Sequence, residues 1–128
     1  MRNASDLTAE ELMFLREKHL ATLTTLRHDN TPHVVAIAFG YDPGAGLVRI
    51  ISSDGTRKVR NIEARGVAAI CQVDSARWLT LEGTARVVRD PDAIQLAIAA
   101  FEARYRPARE NPDRVAIEIS VGRILGHA

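Results

Sequence analysis

The residues best suited to binding a ligand lie in one segment, Ser52 to Asn61, which reads SSDGTRKVRN. In this segment a predicted strand ends in two serines, an Asp-Gly pair follows, and a predicted helix then begins with basic residues. Backbone N–H groups at a helix start favour negative charge, and hydroxyl groups and a lysine add directed donors. The pattern fits a cradle for an anion, and it fits a capped surface helix with solvated basic residues equally well.

The spacing of the other reactive residues gives no support for hydrolytic or metal chemistry. The chain has no Gly-x-Ser-x-Gly elbow, no Walker loop and no Gly-x-Gly-x-x-Gly opening a helix. Its four histidines are not spaced as a metal site, and its one cysteine, Cys71, lies in an apolar run typical of a buried strand. We therefore expect no catalytic nucleophile, no metal and no internal disulfide, and we expect a cytoplasmic location.

Arginine dominates the basic residues, since it accounts for fifteen of the seventeen. Guanidinium groups bind phosphate and carboxylate well, but a GC-rich genome produces the same bias. A net charge of +1 gives no overall footprint for nucleic acid. Arg104, Arg106 and Arg109 flank a proline-rich loop, where they either extend a basic groove or are solvated. Trp78 begins a predicted strand, where it either stacks on an aromatic ligand or packs in a subunit interface.

Local signals predict three helices. Thr8 and Glu11 have capping-box spacing before a helix over residues 9–18. A short helix after Gly55 is expected to end near Gly66. Asp90-Pro91 has N-cap and N1 chemistry for a helix that runs to about Tyr105.

Period-two alternation and β-branched runs predict six strands, over residues 20–26, 33–39, 47–52, 67–73, 78–88 and 115–121. The second and third of these are expected to form a hairpin, and Gly83 within the fifth indicates a bulge or a close backbone approach. No secretory signal or membrane-spanning run is visible. We expect one domain, residues 1–128, of the mainly β (α+β) class: a six-stranded antiparallel split β-barrel with helical caps.

Three segments resemble the pyridoxamine-phosphate-oxidase-like, FMN-binding split-barrel superfamily. Residues 23–35 resemble its first hairpin, residues 53–62 its phosphate-binding segment, and residues 74–83 the strand that follows. Within the superfamily the chain is similar to the actinobacterial branch that uses F420, an 8-hydroxy-5-deazaflavin. The Arg-Tyr-Arg…Asn-Pro…Arg pattern of residues 104–114 is similar to that of F420-dependent biliverdin reductases. The resemblance extends from about Leu12 to Gly126.

The resemblance implies a homodimer that holds the cofactor between two barrels. It implies that Lys58 contacts the cofactor phosphate, that His33 and Val35 lie under the ring system, and that Trp78 approaches from the partner chain or the far side of the barrel. The implied cofactor-binding residues are His33, Val35, Ser52, Ser53, Thr56, Lys58, Arg60, Asn61, Gln72, Trp78 and Leu79. The expected substrate-binding residues are Trp78, Arg104, Arg106 and Arg109.

The activity implied by the resemblance is hydride transfer from reduced F420 to a flat conjugated acceptor, with biliverdin reduced to bilirubin. No side chain stands out as a proton donor, so solvent or an arginine-oriented water is expected to supply the proton. One alternative is an FMN-binding oxidoreductase of the same fold, which Ile51-Ser52-Ser53 disfavours because many FMN-binding relatives carry an aromatic residue there. The other is a non-enzymatic carrier of a deazaflavin or a tetrapyrrole. No nucleic acid or membrane partner is expected.

Overall fold

The structure, a computed structural model, describes all 128 residues and is dominated by β-strands. The strands are β1 (Ala21–Leu26), β2 (Pro32–Ile37), β3 (Gly40–Asp42), β4 (Leu47–Ser53), β5 (Val67–Asp74), β6 (Arg77–Val88) and β7 (Arg114–His127). The helices are α1 (Ala9–Phe14), α2 (Arg57–Arg65) and α3 (Pro91–Arg104), and a 3₁₀ turn spans Ala4–Asp6. None of the helices has the length and apolar character needed to cross a membrane.

All seven strands form one antiparallel sheet in the order β2-β1-β5-β6-β7-β4-β3. Only Ala38 and Phe39 separate the two edge strands in sequence. Three Cα–Cα steps span at most roughly 11 Å, so the sheet must curl until its edges approach each other at this corner. No ladder joins the two edges. The mainly β, α+β class is confirmed, and the six-stranded barrel is corrected to a curled, open sheet of seven strands.

The predicted hairpin between residues 33–39 and 47–52 is wrong. β2 pairs with β1, while β3, which was not predicted, pairs with β4. Phe39 is buried in the core where the chain crosses from one edge of the sheet to the other. Residues 33–39 are almost all apolar, and this pattern does not reveal a change of direction because both edges border the same core.

The helix starts follow the local signals more closely than the ends. In α1 the Glu11 N–H donates to Thr8 Oγ1 at 3.1 Å and the Thr8 N–H donates to Glu11 Oε1 at 3.0 Å, which confirms the capping box. α1 ends at Phe14 rather than residue 18. The Phe14 carbonyl accepts a hydrogen bond from the Gln72 amide at 2.9 Å, a tertiary contact that competes with continuation of the helix. Gly66, with φ +56, ends α2, and Asp90 caps α3, as predicted.

The predicted irregularity at Gly83 is confirmed. The register between β6 and β7 shifts between Glu82 and Gly83, and a Cβ atom at Gly83 would lie 1.8 Å from the Ser120 carbonyl oxygen. Beyond this bulge β7 continues to His127 instead of ending near residue 121, because its second half pairs with the first half of β6. β7 therefore connects the two ends of the molecule.

α2 is fixed to the sheet by both apolar and polar contacts. Val59 and Ile62 are buried in the core. The Asn61 Nδ2 group donates to Thr25 Oγ1 on β1 at 3.1 Å, and both side chains are buried. These contacts fix the start of α2 beside the end of β4 and the inner side of β2.

Candidate functional site

The turn between β4 and α2 is held by its own hydrogen bonds. Thr56 Oγ1 donates to the Ser53 carbonyl at 3.1 Å and lies 3.4 Å from Ser52 Oγ. Gly55 has φ +77, a left-handed conformation that residues with a Cβ atom rarely adopt. Thr56 occupies the N-cap position of α2, yet its side chain caps no N–H group of the helix. The first N–H groups of α2 are thus not capped by a side chain, unlike in the alternative of a capped surface helix. They are available to an anion.

Lys58 and His33 are two partly or fully buried polar groups beside this turn that have no partner in the chain. Lys58 is half-buried and forms no ion pair, and burial lowers the pKa of its ammonium group below the ordinary value. The Nδ1 atom of His33 is buried without a hydrogen-bond partner. Burial, followed by the positive charges of Arg27, Arg57 and Lys58, lowers the pKa of His33. A ligand that carries negative charge and hydrogen-bonding groups would satisfy both side chains.

Val35 lies two residues after His33 on the edge strand β2 and packs against the core. It pairs with Leu23 of β1, just as His33 pairs with Thr25. Since Leu23 and Thr25 are both buried, His33 and Val35 lie on the inner side of the sheet, towards α2. The structure therefore brings His33 close enough to Lys58 for the two to interact electrostatically, with Val35 on the same side of the sheet.

A cavity of 310 Å³ lies against the same end of β4. Ser52 and Ser53 line one side, and the loop after α3 contributes Arg106, Arg109 and Asn111. Its remaining lining residues are Ile51, Phe101, Pro107, Ala108 and Arg114. The Asn111 Nδ2 group donates to Ser53 Oγ at 2.8 Å, which joins the loop to the turn. Arg106 and Arg109 were expected at a ligand site from the sequence, but Arg114 was not. The only signal for Arg114 is its place at the end of the Arg-Tyr-Arg…Arg pattern.

Arg104 has a different environment from Arg106, two residues away. Its guanidinium group donates to the Glu17 carbonyl at 2.8 and 2.6 Å, to the Phe39 carbonyl at 2.7 Å and to Gln72 Oε1 at 2.7 Å. It also lies 4.5 Å from the centre of the Phe39 ring. These contacts tie the end of α3 to three other parts of the chain. The geometry gives Arg104 a structural role, and the substrate contact expected from the sequence stays a prediction.

Gln72 and Leu79 are both fully buried. Gln72 donates to the Phe14 carbonyl and accepts from Arg104, and Leu79 packs in the core. Neither side chain presents a surface to a ligand in this arrangement. Both were expected to approach the cofactor, and the geometry assigns both to the fold. Buried Asn61 likewise acts through its bond to Thr25, by holding α2 in place.

Trp78 lies at the opposite end of the sheet from Ser53. On β7, Ser53 pairs with Arg114 and Trp78 pairs with His127, thirteen residues later. Thirteen residues correspond to roughly 40 Å along an extended strand, and to less in a straight line because the sheet curls. Within one chain the register therefore places Trp78 at the end of β7 remote from the turn between β4 and α2.

The outer face of the sheet around Trp78 is rich in exposed apolar side chains. Trp78 itself is 39% exposed, and the other large exposed side chains of β2, β5 and β7 are Val34, Val67, Val73 and Leu125. A groove of 680 Å³ on this face is lined by residues such as Thr24, Ala69 and Thr84. Exposed apolar patches of this kind mark protein contacts more often than polar ligand sites.

Folding also brings Glu17, His19 and Asp74 together, which the sequence spacing does not show. Their potential ligand atoms lie within 4.8 Å of one another. Arg77 pairs with both carboxylates, and its hydrogen bonds to Glu17, followed by that of His19, lower the pKa of Glu17 to about 2. Because a guanidinium group already pairs with both carboxylates, we assign no metal to the cluster.

Comparisons with known proteins agree with this geometry. The sequence matches the family description "Pyridoxamine 5'-phosphate oxidase" over residues 7–128. The F420H(2)-dependent biliverdin reductase of Mycobacterium tuberculosis is 49% identical over 122 residues, which cover 95% of this chain and 89% of the relative. A solved F420 reductase superimposes with a TM-score of 0.74 at 26% identity, covering 88% of this chain and 94% of that chain. The heme storage protein HutZ of Vibrio cholerae superimposes with a TM-score of 0.76 over 94% of both chains, but its 18% identity shows the fold alone.

Proposed function

The chain belongs to the pyridoxamine 5'-phosphate oxidase family, and from that premise we propose that it is an F420-dependent reductase that converts biliverdin to bilirubin. Its relative at 49% identity, aligned over 95% of this chain, is an F420H(2)-dependent biliverdin reductase. The structural observation that carries the proposal is that half-buried Lys58 and the buried Nδ1 of His33, which lie near each other, both lack partners. These are groups that an anionic, hydrogen-bonding cofactor would satisfy.

The residues of the β4–α2 turn fit the phosphate of such a cofactor. Lys58 supplies a positive charge, and the uncapped N–H groups at the start of α2 supply fixed donors. Thr56 and the two serines add hydroxyl groups at the same turn. Arg60 lies on the exposed side of α2, where it adds positive charge without a direct contact in this structure.

His33 and Val35 would form the floor under the ring system. When bound, F420 supplies the hydride, and the protein contributes position and electrostatics. Holding an acceptor in a reactive geometry by itself supplies several orders of magnitude in rate. Because its pKa is lowered, His33 is neutral at pH 7, so it can donate or accept a hydrogen bond without carrying charge. We assign delivery of the proton to water, since no acidic side chain lines the cavity that contains Arg106 and Arg109.

We further propose that the active form is a homodimer in the cytoplasm. Trp78 cannot reach Lys58 within one chain, so a role at the cofactor requires a second copy. The exposed apolar outer face that carries Trp78 is suited to such a contact. Residues 1–128 would act as one cofactor-binding domain in each subunit.

The second candidate is an FMN-binding oxidoreductase, which the family membership supports because the same turn would hold the phosphate of FMN. Both candidates are tested by titrating purified protein with F420 and with FMN. Removal of one partner of a hydrogen-bonded charge pair costs about 2–5 kcal/mol. We therefore expect Lys58→Ala to weaken F420 binding by at least about tenfold.

Lys18→Ala is the matched control, because Lys18 is the only other lysine and is exposed. It should leave F420 binding unchanged. Oxidation of reduced F420 and formation of bilirubin should both be measured with the wild type. Tight FMN binding without F420 binding would refute the F420 proposal, and F420 binding without turnover would leave a carrier.

A further inference from the structure

The arginines without partners are concentrated at one end of the molecule. Nine of the fifteen arginine side chains donate hydrogen bonds to acceptors within the chain. The six that make none are Arg16, Arg57, Arg60, Arg106, Arg109 and Arg114. Five of these six lie on α2 or around the cavity, on the two sides of the end of β4. A cleft lined by one sign of charge concentrates ligands of the opposite sign.

The neighbouring acidic side chains do not neutralise the cavity arginines. Asp54 is held by Arg89 through two hydrogen bonds of 2.8 and 3.1 Å. Glu102 accepts a hydrogen bond from the Ala108 N–H at 2.8 Å. Glu110 and Asp113 are exposed and form no ion pair with an arginine. None of Arg106, Arg109 and Arg114 therefore forms an ion pair within the chain, and their guanidinium groups are free to bind a ligand.

The loop that carries these arginines is anchored at both ends. At its start, the Tyr105 hydroxyl donates to the His19 carbonyl at 2.6 Å, next to the bonds of Arg104. At its end, the Asp113 N–H donates to Asn111 Oδ1 at 3.0 Å. Asn111 also donates to Ser53, so the loop is fixed to the turn that would hold the cofactor phosphate. Binding groups fixed in advance lose less entropy when a ligand arrives.

We propose that this cavity binds a carboxylate group carried by one of the two ligands of the reaction, with Arg106, Arg109 and Arg114 as its cationic partners. The inference rests on the proposed function. The two sources of such a carboxylate are the oligoglutamate tail of F420 and the propionate groups of biliverdin. Guanidinium groups bind carboxylates through paired hydrogen bonds. The volume of 310 Å³ holds roughly ten water molecules, which is enough for a carboxylate and the chain that carries it.

The position of the cavity connects it to the cofactor site. Ser52 and Ser53 line the cavity and also belong to the turn whose far side leads to Lys58. The cavity and the turn that would hold the phosphate therefore share these two serines. The cavity is also open to an acceptor that approaches from the solvent side of the loop, since Arg106 and Arg109 are exposed.

The test compares wild type with the triple variant Arg106→Gln/Arg109→Gln/Arg114→Gln, the single variant Arg109→Gln and the control Arg16→Gln. Arg16 is also exposed and without a partner, but it lies after α1, away from the cavity. One arm measures equilibrium binding, by fluorescence, of F420 with several glutamates and of the same cofactor without them. The other arm measures KM for biliverdin and for its dimethyl ester.

If the tail occupies the cavity, wild type should bind tailed F420 about tenfold more tightly than tailless F420, and the triple variant should bind both alike. If the propionates occupy it, the triple variant should bind both cofactors as wild type does, while its KM for biliverdin rises about tenfold and its KM for the ester does not. Arg109→Gln should show about a threefold effect in the same arm. Added salt should reduce either difference.

The proposal is overturned if the triple variant matches Arg16→Gln in both arms. A wild-type protein that does not bind F420 at all would instead refute the proposed function, and the carboxylate proposal with it. Thermal unfolding of each variant checks that the exposed substitutions leave the fold intact.

Discussion

Replacing Arg104 by methionine separates a structural role from a ligand-binding role. Methionine keeps much of the length and apolar contact of the side chain but removes the guanidinium group. The substitution leaves Gln72 Oε1, which is fully buried, without its donor. The Glu17 carbonyl lies near solvent, so water can replace its lost bonds. The Phe39 carbonyl keeps only the Tyr105 hydroxyl at 3.2 Å, whose single proton it shares with the closer His19 carbonyl.

The expected loss follows from these contacts. A buried acceptor left without a partner costs about 1–3 kcal/mol. The contact of the guanidinium group with the Phe39 ring adds about 0.5–1 kcal/mol. We therefore expect Arg104→Met to lower the free energy of unfolding by about 2–4 kcal/mol and Tm by roughly 8–15 °C.

The assay is urea unfolding at fixed protein concentration, because a dimer makes apparent stability depend on concentration. Arg106→Met is the control: Arg106 is exposed, forms no hydrogen bond and only stacks on the Phe101 ring at 5.4 Å, so its loss should be below about 1 kcal/mol. The reasoning is refuted if Arg104→Met unfolds within about 0.5 kcal/mol of wild type while its KM for biliverdin rises. That result would return Arg104 to the substrate site.

Two further predictions concern the pKa of His33 and the dimer. Since the pKa of His33 is lowered below 6.5 in the folded chain, the unfolded state binds more protons, and the stability contributed by neutral His33 is lost as pH falls below 6.5. Binding of F420 or inorganic phosphate should raise the pKa of His33, as followed by NMR titration of its ring protons, and an unchanged pKa would place the anion elsewhere. For the dimer, a mixture of inactive Lys58→Ala and Trp78→Ala subunits should recover about a quarter of wild-type activity, because half of the dimers are mixed and each of those has one intact site. No recovery after verified subunit exchange would show that Trp78 and Lys58 do not act across the interface.

Features that depend on neighbouring residues could be predicted from the sequence. The capping box of Thr8 and Glu11, the left-handed Gly66 at the end of α2 and the Asp90 cap of α3 all appear where the sequence indicates. Each of these involves groups within four residues of one another, so the local chain chemistry determines it. The family resemblance could also be recognised from the sequence, because the Ser52–Asn61 segment is continuous in the chain.

Features that depend on distant partners required the tertiary structure. Arg104 and Arg106 are the same residue type and lie two positions apart. Arg104 donates hydrogen bonds to acceptors as far as 87 residues away, whereas Arg106 lines a cavity. Arg114 joins Arg109 at that cavity only because β7 starts beside the end of β4. Trp78 was expected near the cofactor, yet sheet register places it at the other end of the molecule from Lys58 in the same chain.

The Ser52–Asn61 segment shows the same division. Its residue types alone indicate affinity for an anion, because hydroxyl, lysine and helix N–H groups carry that property wherever they lie. The fold decided that Thr56 leaves the helix uncapped, that His33 faces Lys58 and that a basic cavity adjoins the turn. Side-chain chemistry is local, whereas the presence or absence of a partner depends on which distant strands and loops the curled sheet brings together.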